Sequence, residues 1–374
     1  MPDAERHPAS LFFSWPAVMA AMATGMVAAS INEFFRQVAE PREQDVAEPK
    51  PVWATPHHIR LELGTMRLRD FSTSTHGVAT LVCAPYALHR ATIADFAPGH
   101  SLVEALRRSG LGRIHVTDWR SATSEMQALS IDNYFADLNV AVDDLGPPVD
   151  LIGLCQGGWL ALAFAARYPQ KVRRLVLVGA PIDIAAGESK ISNIAANTPL
   201  AVFEQLVRAG GGRVLGGRAL ELWGPALDVK DERLVLQISD SVDSKSIQDL
   251  LRRFGEWYDM TVDLPGAYYL QVVSWLFKEN RLAEGKLIAL GRRIDLKSVR
   301  HPLFLLAGRD DDLVASEQLF GAARCVGTPE AEIQMATEPC GHLSLFLGAE
   351  TLKRRWTAIA RWLTEERQDT QQAA

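Results

Sequence analysis

The spacing of apolar and polar positions changes period several times along this chain, and each change marks an element. HIRLELGTMRLRDFS (58–72) alternates residue by residue, as a half-buried β-hairpin does. ATLVCAP (79–85) is a short apolar run that suits a buried strand, and GRIHVTDW (112–119) is the next strand. Between them SLVEALRRSG (101–110) has helical spacing and a glycine stop. IDNYFADLNVAVDDLG (131–146) then predicts a helix, PVDLIGL (148–154) a strand, WLALAFAARYP (159–169) a helix and RRLVLVGAP (173–181) a strand. Strands and helices in strict alternation imply right-handed crossovers and a mostly parallel sheet.

That rhythm stops near residue 184 and resumes at HPLFLLAGRDDDLV (301–314). The mainly helical stretch between is far too long for a loop and reads as an inserted cap. Its aromatics include Phe203, Trp223, Phe254, Trp257, Tyr258, Tyr268, Tyr269, Trp275 and Phe277, which such a cap needs both to pack and to line a pocket. A strand near EIQMATE (332–338), the turn CGHLSLFLG and a final helix TLKRRWTAIARWLTEE (351–366) follow. The expected organisation is an N-terminal apolar helix and linker (1–50), a core in two parts (51–183 and 299–366) around a cap (184–298), and a disordered tail (367–374).

Composition narrows the picture. With 48% hydrophobic and 22% charged residues the chain is an ordinary globular sequence, and a net charge of −6 provides no broad positive field for nucleic acid. The cysteines Cys83, Cys155, Cys325 and Cys340 lack metal-ligand spacing or CxxC pairing, so no metal site and a reducing, cytoplasmic setting are expected. The start MPDAERH is not a secretory signal. Residues 8–32 are uncharged and long enough to span a bilayer, but Pro16 and Gly25 interrupt them and alanine contributes little to insertion. A helix packed on the main domain, or lying on a lipid or polymer surface, accounts for them better than a membrane span.

The chemistry concentrates at Gly153-Leu154-Cys155-Gln156-Gly157-Gly158, directly after one strand and before a helix. This is the context of a nucleophile elbow, in which small residues at 153 and 157 permit a strained turn that lifts the central side chain toward the substrate. A thiol at a helix N-terminus is favoured as its thiolate. The expected fold is therefore α/β, of the α/β-hydrolase type, with a mostly parallel central sheet and a large inserted helical cap. In that fold the acid and then the histidine follow the nucleophile. His301 stands before a strand, at the wrong end of the sheet, which selects His342; His89, His100 and His115 precede the elbow and fit the order poorly. The acid belongs among Asp310, Asp311 and Asp312, with Asp311 favoured by its offset from Gly308 and Asp310 next. One oxyanion donor is expected at the Gln156 N–H and the second on the loop near Tyr86 or Ala87.

With these residues assembled, the chain resembles the polyhydroxyalkanoate synthase family, particularly the shorter synthases that work with a partner subunit. The likeness lies in the CQGG elbow, DFAPGHSLVEALRRSG, VTDW, IDNYF, and in the cap DLPGAYYLQVVSWLFKENRLAEGKL followed by GRRIDL. It implies that Cys155 accepts the acyl group of a 3-hydroxyacyl-coenzyme A, that His342 activates the thiol and that Asp311 assists, with no cofactor beyond the coenzyme A thioester. It also implies a polyester granule surface, and a second copy or a partner subunit, as partners. The chain departs from the family pattern at Asp312, where a histidine is usual, at Leu343, in the loop YALHRAT, which lacks an asparagine, and in LVAS, which lacks a proline. A cysteine hydrolase of the same family, either an intracellular depolymerase or a thioesterase, is the alternative reading. A non-catalytic granule-associated protein is a second alternative, against which the intact Cys155, Asp311 and His342 set argues.

Overall fold

The computed structural model describes residues 51–223, 232–239 and 242–365. The apolar segment 8–32, the tail 367–374 and the Trp223 side chain named above lie outside the described residues. Eight strands form one sheet: β1 (His58–Glu62), β2 (Met66–Asp70), β3 (Thr80–Cys83), β4 (Ile114–Trp119), β5 (Val149–Leu154), β6 (Val172–Val178), β7 (Leu303–Gly308) and β8 (Ile333–Glu338). Their order across the sheet is β1-β2-β4-β3-β5-β6-β7-β8. Only the pairs β1/β2 and β2/β4 are antiparallel; the others run parallel.

The sheet is buried on both faces because its central strands are apolar at successive positions, and successive side chains point to opposite sides. Leu81, Leu151, Leu175, Leu177, Leu303 and Leu305 face α2 (Ile131–Leu145) and α3 (Gln156–Arg167). Val82, Ile152, Val176, Val178, Phe304 and Leu306 face α1 (Leu102–Arg108) and the C-terminal helix Thr357–Thr364. Local signals set the helix ends. Ser101 caps α1 by accepting the Glu104 N–H at 2.9 Å, and Gly146 takes a φ of 79° to close α2.

Three elements differ in detail from the sequence expectation. The hairpin is not evenly half-buried: β1 is largely exposed, whereas Arg69 and Asp70 of β2 are buried. They go inside because Arg69 donates to Asp118 from Nε at 2.8 Å and from a terminal nitrogen at 2.6 Å, while Asp70 lies 3.4 Å from His115. The helix after the elbow begins at Gln156, three residues earlier than its apolar spacing suggests. The final helix is broken, with a π-wound turn at Leu352–Trp356 before Thr357–Thr364, and Trp356 Nε1 donates across it to the Leu345 carbonyl at 2.8 Å.

Between β6 and β7 the chain is helical at Lys190–Asn197, Leu200–Ala209, Gly216–Trp223, Glu232–Leu236, Ser244–Asp259 and Gly266–Gln271, the last continuing as a π-wound segment Val272–Lys278. Among the described residues no helix is long and apolar enough to cross a membrane.

Core packing should set stability unevenly. Phe164, fully buried on α3 between Phe135 and Tyr168, should cost about 3–5 kcal/mol when replaced by alanine. Met335→Ala, on the outer strand where the side chain is 57% exposed, should stay within about 0.5 kcal/mol. Urea denaturation of the two variants checks the contrast.

Candidate active site

Cys155 sits at the corner between β5 and α3 with φ 47° and ψ −120°, a left-handed conformation that costs a non-glycine residue energy. Hydrogen bonds hold the corner: the Cys155 N–H donates to the Val178 carbonyl at 2.9 Å and the Gly158 N–H to the Cys155 carbonyl at 2.9 Å. The next turn has no room for a side chain. A Cβ on Gly157 would lie 2.1 Å from the Cys83 carbonyl oxygen and 2.8 Å from that of Ala84, so the elbow rests directly on the end of β3.

Asp311 and His342 converge on this corner from the loops after β7 and β8. His342 Nδ1 and Asp311 Oδ2 are 2.7 Å apart, and the His342 ring and Cys155 line the same cavity. All three are nearly buried, with Cys155 and His342 9% exposed and Asp311 7%. Asp311 is aimed by its own loop, because Oδ1 accepts the N–H groups of Leu313 at 3.0 Å and Val314 at 2.9 Å. Its neighbours turn elsewhere: Asp310 is exposed, and Asp312 is exposed and bridges to Lys190 at 2.5 Å. Phe346 packs edge-on against the His342 ring with centroids 5.3 Å apart, and Gly179, with φ +53°, leaves space for that ring.

Electrostatics follow from this burial. Loss of solvent alone would drive the His342 imidazole down, but the Asp311 charge, then the neighbouring Cys155, and the hydrogen bond that Asp311 accepts hold it well above its ordinary value. An imidazole held by a carboxylate at a cavity shared with a thiol is an arrangement that can activate a thiol nucleophile.

Above Cys155 lies a cavity of about 920 Å³, counting its open mouth. Cys155, Gln156, Tyr86, Ala87 and His342 all line it. The Gln156 side chain is turned inward, its Oε1 accepting from Trp159 Nε1 at 2.8 Å, so what it has to offer the cavity is the N–H at the start of α3. Of the cap aromatics, Tyr268, Tyr269 and Phe277 line the cavity, whereas Phe203, Phe254 and Trp257 are buried in the core.

The other histidines separate by position. His301 precedes β7 at the sheet end away from the elbow, and its carbonyl accepts from Thr328 Oγ1 at 2.9 Å. His100 Nδ1 donates to the Leu347 carbonyl at 2.8 Å, and His115 is buried against Asp70. His89, set aside as a base from its place in the chain, does line the cavity, in tilted ring contact with Trp257 at 4.8 Å and Tyr258 at 4.9 Å. Burial pushes it down to about 4 against a weaker pull from the Tyr258 backbone, so it is a neutral wall residue. The cap also lines the cavity with Ile191, Leu264, Val272 and Val273, which carry no sequence signature beyond being apolar. Among the described residues no cluster of His, Cys, Asp or Glu is placed to hold a metal ion.

Comparison with known proteins reaches the same family as the motifs. Residues 231–364 match the family model described as PHB de-polymerase C-terminus. The poly(3-hydroxyalkanoate) polymerase subunit PhaC of Haloferax mediterranei is 25% identical over 343 residues, covering 87% of this chain and 67% of the relative. That of Synechocystis sp. is 26% identical, covering 75% of this chain and 76% of the relative. Over most of its length the chain is similar to poly(3-hydroxyalkanoate) polymerase subunits. The Allochromatium vinosum subunit repeats the likeness at 25% identity, over 75% of this chain and 79% of its own. Solved structures place the chain in the α/β-hydrolase fold. The enol-lactonase of Burkholderia xenovorans superposes with a TM-score of 0.54 at 17% identity, over 83% of this chain and all (100%) of that one. The Paleococcus ferrophilus monoacylglycerol lipase does so at 0.52 and 16%, over 80% of this chain and 98% of that one.

Two outcomes follow from the site geometry. Gly157→Ala should displace the elbow from β3, lowering the melting temperature and slowing iodoacetamide labelling of Cys155; unchanged labelling would show that the corner tolerates a side chain. His342 holds its proton to higher pH folded than unfolded, so its stabilisation is complete below about pH 6.5 and drains away as pH rises through the folded value. The stability gap between the wild type and His342→Gln, measured by denaturant titration, should therefore be widest below about pH 6.5 and narrow as pH rises through the folded value. A gap independent of pH would contradict a charged ring.

Proposed function

We propose that this chain is an acyltransferase that takes the acyl group of a 3-hydroxyacyl-coenzyme A onto Cys155 and passes it to a hydroxyl, extending a hydroxyalkanoate polyester. The observation that carries this reading is a thiol at the elbow, sharing an apolar cavity with a His342 that is itself held by Asp311. The polymerase relatives supply the substrate class.

In the first half-reaction the Cys155 sulfur adds to the thioester carbonyl carbon, forming a C–S bond and placing negative charge on oxygen. The Gln156 N–H and an N–H of the Tyr86–Ala87 loop receive that charge. Collapse of the adduct breaks the bond to the coenzyme A sulfur, which leaves with the proton carried by His342. In the second half-reaction an acceptor hydroxyl gives its proton to His342 and its oxygen attacks the acyl carbon, which releases Cys155 and forms the ester. Both the substrate and the acyl-enzyme are thioesters, so the first transfer is nearly balanced and the activation survives for ester synthesis. An acyl-serine would dissipate it. A polyester granule surface and a second or partner subunit belong to the same proposal, by likeness to the relatives.

The match of 231–364 to a depolymerase description favours one other reading, hydrolysis of the acyl-enzyme by water. Incubation with 3-hydroxybutyryl-coenzyme A separates the two: released thiol should be matched by polymer, with free hydroxy acid as the sign of a hydrolase. Cys155→Ala should abolish thiol release, and Asp311→Asn should lower it about 10²-fold or more by leaving His342 unsupported. Thiol release that survives in Cys155→Ala would refute the assignment of the nucleophile.

A further inference from the structure

One lining residue is tied into both halves of the molecule through an atom that the chemistry does not use. The Tyr86 hydroxyl donates toward the Arg120 carbonyl at 3.0 Å, just past β4, and toward the Asp263 carbonyl of the cap at 3.3 Å. It accepts in turn from the Tyr134 hydroxyl of α2 at 3.1 Å. Tyr268 of the cap packs on its ring at 5.2 Å and reaches the Tyr86 carbonyl with its own hydroxyl at 3.5 Å, the outer limit of a hydrogen bond. The phenol is buried, and desolvation, then Tyr134, raise it well above its ordinary value, so it is a neutral donor throughout the working range.

These bonds all act on one short loop. Upstream, the Ala84 carbonyl is held by Trp119 Nε1 at 2.8 Å, and that same carbonyl backs onto the elbow beside Gly157. Downstream, the peptide joining Tyr86 to Ala87 is trans, so its carbonyl and its N–H point in opposite directions. A Tyr86 carbonyl drawn to Tyr268 turns the Ala87 N–H the other way. Ala87 lines the cavity with Cys155.

From this geometry we infer that Tyr86 is a positioning residue, whose phenol hydroxyl ties the loop carrying the second oxyanion donor to the core and to the cap together, so that the donor is in place only when the cap is seated. The inference rests on the acyl-transfer reading for its substrate but on the tyrosine geometry for its mechanism. The hydroxyl touches no reacting atom; it acts through the main chain of residues 86 and 87. Removing it leaves the ring packed and the loop free to shift, and a shift of about 1 Å in a catalytic donor is worth up to about 100-fold in rate.

The test uses two reactions of the same thiol in the full chain. Acylation by 3-hydroxybutyryl-coenzyme A passes through an oxyanion, whereas alkylation by iodoacetamide does not. Tyr86→Phe should slow acylation about 10- to 100-fold, with kcat carrying most of the loss, and leave the alkylation rate within about twofold. Phe135→Leu, a core change away from the cavity, serves as a stability-matched control and should slow neither reaction selectively. Wild-type acylation in Tyr86→Phe, or a parallel loss of both reactions, would overturn the inference. Should Tyr86→Phe fail to fold by circular dichroism, Tyr268→Phe frees only the Tyr86 carbonyl and should show the same selective loss at smaller size; equal losses in both reactions overturn the inference there too. Running p-nitrophenyl acetate alongside separates the two claims. A wild type that is acylated by the ester but not by the coenzyme A thioester sinks the substrate reading, and the ester rates of Tyr86→Phe then decide the role of Tyr86.

Discussion

Everything at this site depends on one strained residue. Cys155 holds a positive φ that a side chain resists, and it does so because the chain leaves β5 and enters α3 without an intervening loop. The conformation persists because it is over-determined from three sides: β6 accepts its N–H, β3 presses against Gly157, and the sheet beneath is buried on both faces. The apolar runs in β3, β5 and β6 thus support the chemistry although none of their side chains takes part. They fix the sheet, and the sheet fixes the corner.

Burial that steadies the corner also creates an electrostatic problem. A histidine out of solvent loses its proton unless something holds it, and at His342 the Asp311 carboxylate and the Cys155 sulfur together outweigh the desolvation. Asp311 needs support of its own, which comes from two main-chain N–H groups of the following turn. The departures from the family pattern at Asp312 and in LVAS leave this support intact. Asp312 turns outward to Lys190, and Leu313 and Val314 donate through the backbone, which any residue except proline can do.

Much of this arrangement is legible in the sequence because it is local. Short continuous apolar runs declare the parallel strands, and a Gly-x-Cys-x-Gly segment between a strand and a helix declares the elbow. His342 and Asp311 can be found without coordinates because the fold allows the base and the acid only after particular strands. What sequence does not show is set by long-range contact. Arg69 and Asp70 read as surface residues until Asp118 and His115 arrive across the sheet. His89 looks like a rejected base until Trp257 and Tyr258, far along the chain, close on it as a wall. Of nine similar cap aromatics, nothing local distinguishes Tyr268, Tyr269 and Phe277, which line the cavity, from Phe254 and Trp257, which pack beneath.

The point of insertion explains why the cap can matter to the chemistry. It leaves the sheet after β6, the strand whose end receives the Cys155 N–H, and returns into β7, whose following loop carries Asp311. Its first helix is pinned to that acid loop, with the Lys190 N–H on the Asp312 carbonyl at 2.8 Å, and the next residue, Ile191, lines the cavity. Its last helical stretch brings Tyr268 and Tyr269 over the loop after β3, where the Tyr86 hydroxyl meets the Asp263 carbonyl. Cys155, Asp311 and the Tyr86–Ala87 loop, the groups proposed as nucleophile, acid and oxyanion loop, are therefore each one contact away from the cap. A cover attached only at a distant edge could exclude water; one rooted among the reacting groups can also report to them whether the cavity is closed.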